Sequence, residues 1–502
     1  MNSALYIGAT GMKGLSQGMQ VTTNNLANVS TIGYKQQGIL FSDLISTSQA
    51  GMGEWWNNQE NSRVALGQTG KGVQVDTVRT SFQQGTMQSS NMVTDMAING
   101  KGFFQVTDGV NLYYTRAGDF RPDNKGVWRT PTGLALNGYK YNGDGSLGGL
   151  QEVKIDRFST MPGKGTARVD LTMNLNSGQD NAVDEHNPYF GMLGLYNATN
   201  IKPLPNTAYS YSQTMTLYDA ESKPHTVTVY FDDAPDSTSG SMMEFLIAAG
   251  ATGKTDADGD VIPPSPGDGL LMSGVLQFNS WGRLTGMSAF TPATEGSKNL
   301  ADWQPAALDG GLPQLILEGA TMSVNFGISA AGGWQNAPAS AADVDTDQNK
   351  LPAMGTDAVR AEGATTLYNN SSPIGTYKQD GYSEGTLSTV AVKTDGTVVG
   401  CYSNGHDQNL WQIPICRFTS EDGLRREGGN LFSATDEAGQ MDMGVPGTEN
   451  YGTVNAYNIE NSNVDMAMEM VNMIITQRGF QSNSKVVTTA DQMLQKAMEL
   501  KR

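Results

Sequence analysis

Cysteine and histidine are almost missing from this chain, and two kinds of segment are missing altogether. Two cysteines, Cys401 and Cys416, stand among 502 residues, too few for the disulfide framework of a small secreted scaffold. They read as two unpaired core thiols, and nothing in the pattern supports a bridge between them. The three histidines, His186, His225 and His406, lie far apart, so no pair has helical or metal-ligand spacing. No run of 18 apolar residues exists, so no helical membrane insertion is expected. The N-terminus lacks a basic stretch followed by an apolar one and a small-residue cleavage site, so no cleaved signal peptide is expected either. That alone reads as a cytoplasmic chain, unless export uses an uncleaved signal. Basic charge is scarce as well: 32 basic against 50 acidic side chains give a net charge of −18. Such a surface repels nucleic acid and anionic lipid, so neither is an expected partner.

What is abundant is glycine, at 60 residues, which points to many tight turns and hence many short strands. The length leaves room for three or four domains. Charge is uneven along it. Residues 1–75 carry four basic and three acidic side chains, net +1, whereas 161–374 carry nine basic and 23 acidic ones, net −14. The middle reads as a solvated, outward-facing part and the ends as parts that pack.

Both ends have helical periodicity. Leu5, Met12, Met19 and Leu26 recur every seven residues, with Leu15 and Val29 on the same seam. Gly8 and Thr22 occupy the partner positions, so this seam is imperfect. At the other end, Ser462 with Asp465 fits a capping pattern, followed by Val464, Met468, Val471 and Ile475, then Val486, Ala490, Met493, Ala497 and Leu500. Asp465 and Glu469 near the start, and Lys496, Lys501 and Arg502 near the end, suit the helix dipole. Some 40 residues would make a rod of about 60 Å. Two amphipathic helices at opposite ends suit faces that bury against other subunits.

Between the ends the pattern is strand-like. Residues 31–75 are polar and Gly-rich and read as an extended linker with one apolar patch, Phe41 to Ile45. Residues 76–160 hold short alternating segments split by glycines. Thr214–Tyr218 and Thr226–Phe231 read as a hairpin around Glu221–Pro224, with Val227, Val229 and Phe231 on one face. Residues 251–269 and 332–362 read as surface loops, and strands return from about 383 to 433.

Three chemistries fail on spacing. Asp256, Asp258 and Asp260 alternate as in a calcium loop, but Val261 and Gly267 stand where the turn glycine and the bidentate acid belong; Asp343, Asp345 and Asp347 fail likewise at Gln348 and Met354. Gly67, Gly70, Lys71 and Gly72 do not make a phosphate loop, because Ala65 and Gly72 break the pattern. No G-x-S-x-G or spaced carboxylate pair marks a hydrolase. No catalytic residue, metal or cofactor is expected.

The segment Asn24-Asn25-Leu26-Ala27-Asn28-Val29-Ser30-Thr31-Ile32-Gly33-Tyr34-Lys35 resembles the N-terminal signature of the flagellar rod and hook protein family. A second match runs from Gly85 through Ala97-Ile98-Asn99-Gly100-Lys101-Gly102-Phe103-Phe104 to Tyr114-Thr115-Arg116-Ala117-Gly118-Asp119-Phe120. A third joins Gly381-Tyr382 and Gly385 to Tyr402-Ser403-Asn404-Gly405, and the last is Ser462-Asn463-Val464-Asp465 with Gln477-Arg478-Gly479-Phe480. Within that family the length, and the segment from Tyr218-Asp219 through His225 to Tyr230-Phe231, resemble hook members rather than the shorter distal rod members.

The resemblance implies a multidomain fold: α-helical coiled-coil termini, a mainly-β discontinuous middle domain and one or two β-rich outer domains. It implies paired helices at 1–30 and 462–502 lining a channel, linkers at 31–75 and 441–461, the β-rich domain at 76–160 with 375–440, and outer β-domains at 161–374. It implies a structural subunit, not an enzyme, that forms a helical homopolymer, the flexible tube that transmits torque to the filament. The implied partners are other copies of itself, the distal rod protein at the proximal end, the hook–filament junction protein at the distal end, and the hook cap and flagellar export machinery during assembly. Its expected place is the hook segment outside the cell, reached without a cleaved signal peptide. A junction or rod protein, and more distantly a secreted β-domain adhesin, are the rival readings.

Overall fold

The computed structural model describes residues 2–44, 47–48, 68–176, 181–237, 240–250, 254–255, 261–355, 357–368, 375–448 and 450–499. The chain is mainly β with a long helix at each end. It divides into two compact units, one made of Met1–Ser159 with Leu387–Arg502, the other of Thr160–Thr386.

In the first unit, helix α1 spans Asn2–Ala27. Its buried positions are Gly8, Gly11, Gly14, Gly18, Thr22 and Asn25, which share one face at spacings of three and four. This glycine face makes close contacts with the C-terminal helix, and so does Leu15 of the expected seam, which lies against Gly479. A Cβ on Gly8 would stand 2.7 Å from Val487 Cγ2, and one on Gly11 would stand 2.7 Å from Asn483 Nδ2. Gly14 and Gly18 face Phe41 of a two-stranded ribbon, Gln37–Asp43 paired antiparallel with Val73–Thr80. The segment expected as linker is therefore strand in part. Ile45 of its apolar patch, and Ala65 and Gly67 of the rejected phosphate loop, lie outside the described residues.

Among strands of the same unit, Thr397–Tyr402, Asp407–Gln412, Ala135–Tyr141, Phe104–Thr107, Leu112–Thr115, Leu431–Ser433 and Arg425–Gly428 lie side by side in that order. Segments from both halves of the chain interleave: Tyr139 pairs with Gln412, and Thr115 with Leu431. Met96, Ile98, Phe104, Phe120, Trp128, Leu136, Val398, Trp411 and Ile413 fill one core. Phe103, Tyr114, Cys416, Phe418 and Phe432 fill a second. Side chains alternate between faces along a strand, so adjacent Phe103 and Phe104 enter different cores.

The second unit is β-rich, with a short helix α2 at Gly191–Leu195. Its main sheet is an antiparallel meander: Tyr211–Tyr218, Pro224–Ser237, Gly240–Ala249, Leu270–Phe278, Leu284–Pro292 and Trp303–Pro305. The hairpin pairs Met215 with Val227 and Tyr218 with Pro224. Gly240–Ala249 is buried on both faces, which explains its mostly apolar run, broken only by the buried Glu244. Met243, Phe245 and Ile247 enter a core shared with Val169, Leu171, Met322 and Phe326, while Met242, Leu246 and Ala248 pack with Phe190, Tyr196 and Trp303.

Residues 332–362, read as a surface loop, bury Ala341 and Val344 in that second cluster. Asp343 accepts from the Ser340 N–H at 3.0 Å and its hydroxyl at 3.1 Å, and Asp347 accepts from the Asn349 N–H at 3.0 Å. These acids cap short helical turns. Asp256, Asp258 and Asp260 lie outside the described residues.

The C-terminal helix α3 spans Met466–Glu499 without a break, about 51 Å at 1.5 Å per residue. Gly479 lies mid-helix, where a Cβ would stand 3.0 Å from Leu15 Cδ1. The cap falls three residues later than the sequence pattern suggests. The Asp465 carboxylate accepts from the N–H groups of Ala467 at 2.8 Å and Met468 at 3.2 Å, whereas Ser462 Oγ accepts from Val464 at 3.3 Å.

Candidate functional site

The signature residues converge where both terminal helices meet the β-rich body. Helix α1 ends at Ala27, and its last turn is closed by Asn28, whose side-chain amide donates to the Asn24 carbonyl at 2.9 Å while its Oδ1 accepts from the Thr31 hydroxyl at 3.1 Å. The chain then reverses at Gly33, with φ of +69°. The Gly33 N–H donates to the Glu460 carbonyl at 2.7 Å, and a Cβ there would stand 2.5 Å from the Ala117 nitrogen. Both the left-handed backbone and the close approach demand glycine.

Asn25 acts as an artificial strand partner. Its Oδ1 accepts from the Gln37 N–H at 2.9 Å and its Nδ2 donates to the Gln37 carbonyl at 2.7 Å. The buried Tyr34 hydroxyl also donates to Asn25 Oδ1, at 3.2 Å. Burial pushes the Tyr34 phenol up from its ordinary pKa, and the Arg426 guanidinium lies over its ring, 4.9 Å from the centroid. Asn463 Oδ1 accepts from the Gln36 N–H at 2.7 Å, and its Nδ2 donates to the Ser81 and Gln83 carbonyls at 2.9 and 3.0 Å. Glu469, expected only to complement a helix dipole, is buried and accepts from Gln36 Nε2 at 2.5 Å and Asn25 Nδ2 at 3.3 Å. One carboxylate thus links both helices and the ribbon.

Beneath this lies a buried ion pair. Lys35 Nζ donates to Glu460 Oε1 at 2.6 Å, with both side chains 0% exposed. Lys35 Nζ also donates to the Gln83 carbonyl at 2.7 Å, and Glu460 Oε1 accepts from the Gly85 N–H at 2.8 Å. Arg116 Nε stands 3.8 Å from Glu460 Oε2, and the same guanidinium donates to the Gly100 carbonyl at 2.6 Å. Burial, then repulsion from Arg116, draws the Lys35 pKa below its ordinary value, and Glu460 opposes the shift. Such a pair contributes little net stability over an apolar substitute, yet losing one partner is costly, because a bare charge stays buried. It fixes which segments meet: 33–35, 83–85, 98–116 and 460.

The other signature residues are structural around this junction. Phe103 and Phe104 anchor the two cores. The Tyr114 hydroxyl meets Met441 Sδ at 3.0 Å, and Thr115 Oγ1 donates to the Asn430 carbonyl at 3.0 Å. Gly100 and Gly102 lie between Ile98 and Phe103 on the way into those cores. Ser403, Asn404 and Gly405 form a tight turn, in which the His406 N–H donates to Asn404 Oδ1 at 3.1 Å.

Along the seam, Leu5, Met12, Leu15, Met19, Leu26 and Val29 are half-buried, Ala490 likewise, and Val464 is buried. Met468, Val471, Ile475, Val486 and Met493 are 48 to 63% exposed, and Ala497 is exposed. At 100° per residue these exposed positions form a stripe roughly a quarter-turn from the face that packs on α1. Leu500 lies outside the described residues. Glu460, Arg426 and Asn430 escaped the sequence reading; the one available signal for Glu460 was its place two residues before Ser462.

Elsewhere, His225 Nε2 meets Asp219 Oδ2 at 2.9 Å inside the hairpin turn. Cys401 and Cys416 are both free thiols, and burial pushes the Cys416 pKa up to about 12. Among the described residues, no group of three or more His, Cys, Asp or Glu could hold a metal ion, and no helix is long and apolar enough to cross a membrane.

The flanks and the interior match a single class of protein. Residues 5–35 match the flagella basal body rod protein family, and 456–500 the flagellar basal body rod FlgEFG protein C-terminal family. Residues 97–170 match the flagellar hook protein FlgE/F/G D1 domain, and 191–382 the flagellar basal body protein FlaE D2 domain. This is a protein of the bacterial flagellar axis. The chain is 26% identical over 512 residues to flagellar hook protein FlgE of Treponema pallidum, covering 100% of both chains. It is 28% identical over 502 residues to flagellar hook protein FlgE of Escherichia coli K12, covering 98% of both. A crystal structure of Helicobacter pylori flagellar hook protein FlgE2 overlays on 73% of this chain and 99% of that one, at 12% identity and a TM-score of 0.44. The chain belongs to the flagellar hook protein family.

Proposed function

We infer that this chain is a structural subunit of the bacterial flagellar hook. Copies assemble as a helical homopolymer around the export channel, and the resulting curved tube passes torque from rod to filament. α1 and α3 pair as a coiled coil lining that channel, and the acidic middle of the chain makes polar outer contacts that slide as the tube bends. The distal rod protein meets one end of the polymer and the junction protein the other. A cap and the flagellar export machinery deliver subunits, without a cleaved signal peptide.

The observation that carries this reading is the bare apolar stripe of α3, on a chain alike from end to end to hook proteins. Its five large side chains each keep about half their surface in water. Covering them against other copies is worth roughly 0.8–1.5 kcal/mol apiece, about 4–7 kcal/mol per subunit before ordering costs. The buried junction supplies the complement: it holds the base of both helices at a fixed place on the body, so that the stripes of successive copies align.

Immunogold electron microscopy of intact cells, with antibody against residues 160–386, tests the assignment. Gold along the whole curved segment between cell surface and filament supports it. Gold confined to a band at the filament base points to a junction protein, and gold scattered over the cell body to an adhesin.

A further inference from the structure

We propose that the exposed methionines of α3 are an oxidation site: peroxide converts their thioethers to sulfoxides on the free subunit and so blocks its assembly. This rests on the reading that the α3 face packs against other copies of the chain. Six of the 25 methionines lie in the 34 residues of α3. Five of them, Met466, Met468, Met470, Met493 and Met498, are 49 to 68% exposed, whereas the core residues Met96 and Met272 are fully buried. Flexible thioethers adapt to neighbours whose spacing changes, which suits an interface in a bending tube. They are also the side chains there that a two-electron oxidant attacks.

In the reaction the O–O bond of the peroxide breaks and one oxygen forms an S–O bond at Sδ. The sulfur loses two electrons and the peroxide leaves as water. At Met468 and Met470 the product is a strong hydrogen-bond acceptor whose neighbours one turn on, Val471 and Ile474, have no side-chain donor to offer it. Burying it there leaves the acceptor unsatisfied. Once packed, the same sulfurs are shielded, so the site acts on subunits before assembly.

The test treats the purified full-length chain with hydrogen peroxide, maps oxygen uptake by peptide mass spectrometry, and measures the critical concentration for tube formation. The five α3 methionines oxidise while Met96 and Met272 do not, and the critical concentration rises about tenfold or more. A variant with all five changed to Leu assembles alike before and after peroxide. A second measurement needs no variant: a partly oxidised preparation is allowed to assemble, and sulfoxide at these five positions is enriched in the unassembled fraction. Equal sulfoxide content in tubes and supernatant, or an unchanged critical concentration, overturns the proposal. Peroxide added to preformed tubes separates it from the reading beneath. Equal oxidation rates in tubes and free chain would mean α3 is not an assembly face at all. Shielding in tubes with normal assembly of oxidised chain would sink the oxidation proposal alone.

Discussion

Replacing Lys35 with Met keeps the length of the side chain and removes its charge. Glu460 then keeps its carboxylate fully buried, with the Gly85 N–H at 2.8 Å and Arg116 Nε at 3.8 Å as its remaining neighbours. Breaking a buried pair by deleting one partner costs about 3–5 kcal/mol. The loss starts at the junction, where Lys35 and Glu460 are both fully buried. The Gly33 amide reports it directly, because it donates to the Glu460 carbonyl. Hydrogen exchange at Gly33 should therefore quicken by on the order of 10² to 10³-fold in Lys35→Met. The strand Gly240–Ala249, in the other unit, should exchange as before. Adding Glu460→Gln removes the stranded charge and should restore more than half of the lost protection. A change at Gly33 below about fivefold, or a double variant as unprotected as the single one, would refute the reasoning that the ion pair holds these segments together.

Gly33→Ala places a methyl 2.5 Å from the Ala117 nitrogen at a φ of +69°; it should destabilise the first unit by about 2–3 kcal/mol, read as a lower urea midpoint for its exchange-protected core. Ile475→Asp, on the bare stripe of α3, should leave thermal unfolding of the free chain within about 0.5 kcal/mol of the parent, yet abolish tube formation in a sedimentation assay. In thiol labelling at pH 8, native chain should react at Cys401 alone, and slowly; Cys416, with its pKa near 12 and no exposure, should react only after denaturation.

The sequence was most legible where a residue type has one physical use. The recurrence of Val464, Met468, Val471 and Ile475 announced a helix, and the alternation of Val227, Val229 and Phe231 announced a strand with its inner face. It was less legible where packing depends on what is absent. α1 meets α3 through Gly8 and Gly11, and a reading built on apolar periodicity treats those glycines as gaps in a seam. Charges misled in a related way. Lys35 and Glu469 look like surface residues in any window of sequence, and they are buried because partners more than 400 residues away satisfy them. Glu460 had only its place two residues before Ser462 to mark it, since its role exists only once both ends of the chain come together. The motif Thr31-x-Gly33-Tyr34-Lys35 identified a family long before its chemistry could be explained. The structure supplies that explanation: a helix stop, a left-handed turn, a ring under a guanidinium and a buried cation.

Hydrogen exchange of α3, compared between free chain and assembled tubes, tests the central claim most directly. If the bare stripe is an assembly face, amides between 471 and 497 exchange readily in the free chain and slow about a hundredfold or more in tubes. Equal protection in both states would mean that α3 is already fully stabilised within one chain, and that copies of this protein join through some other surface.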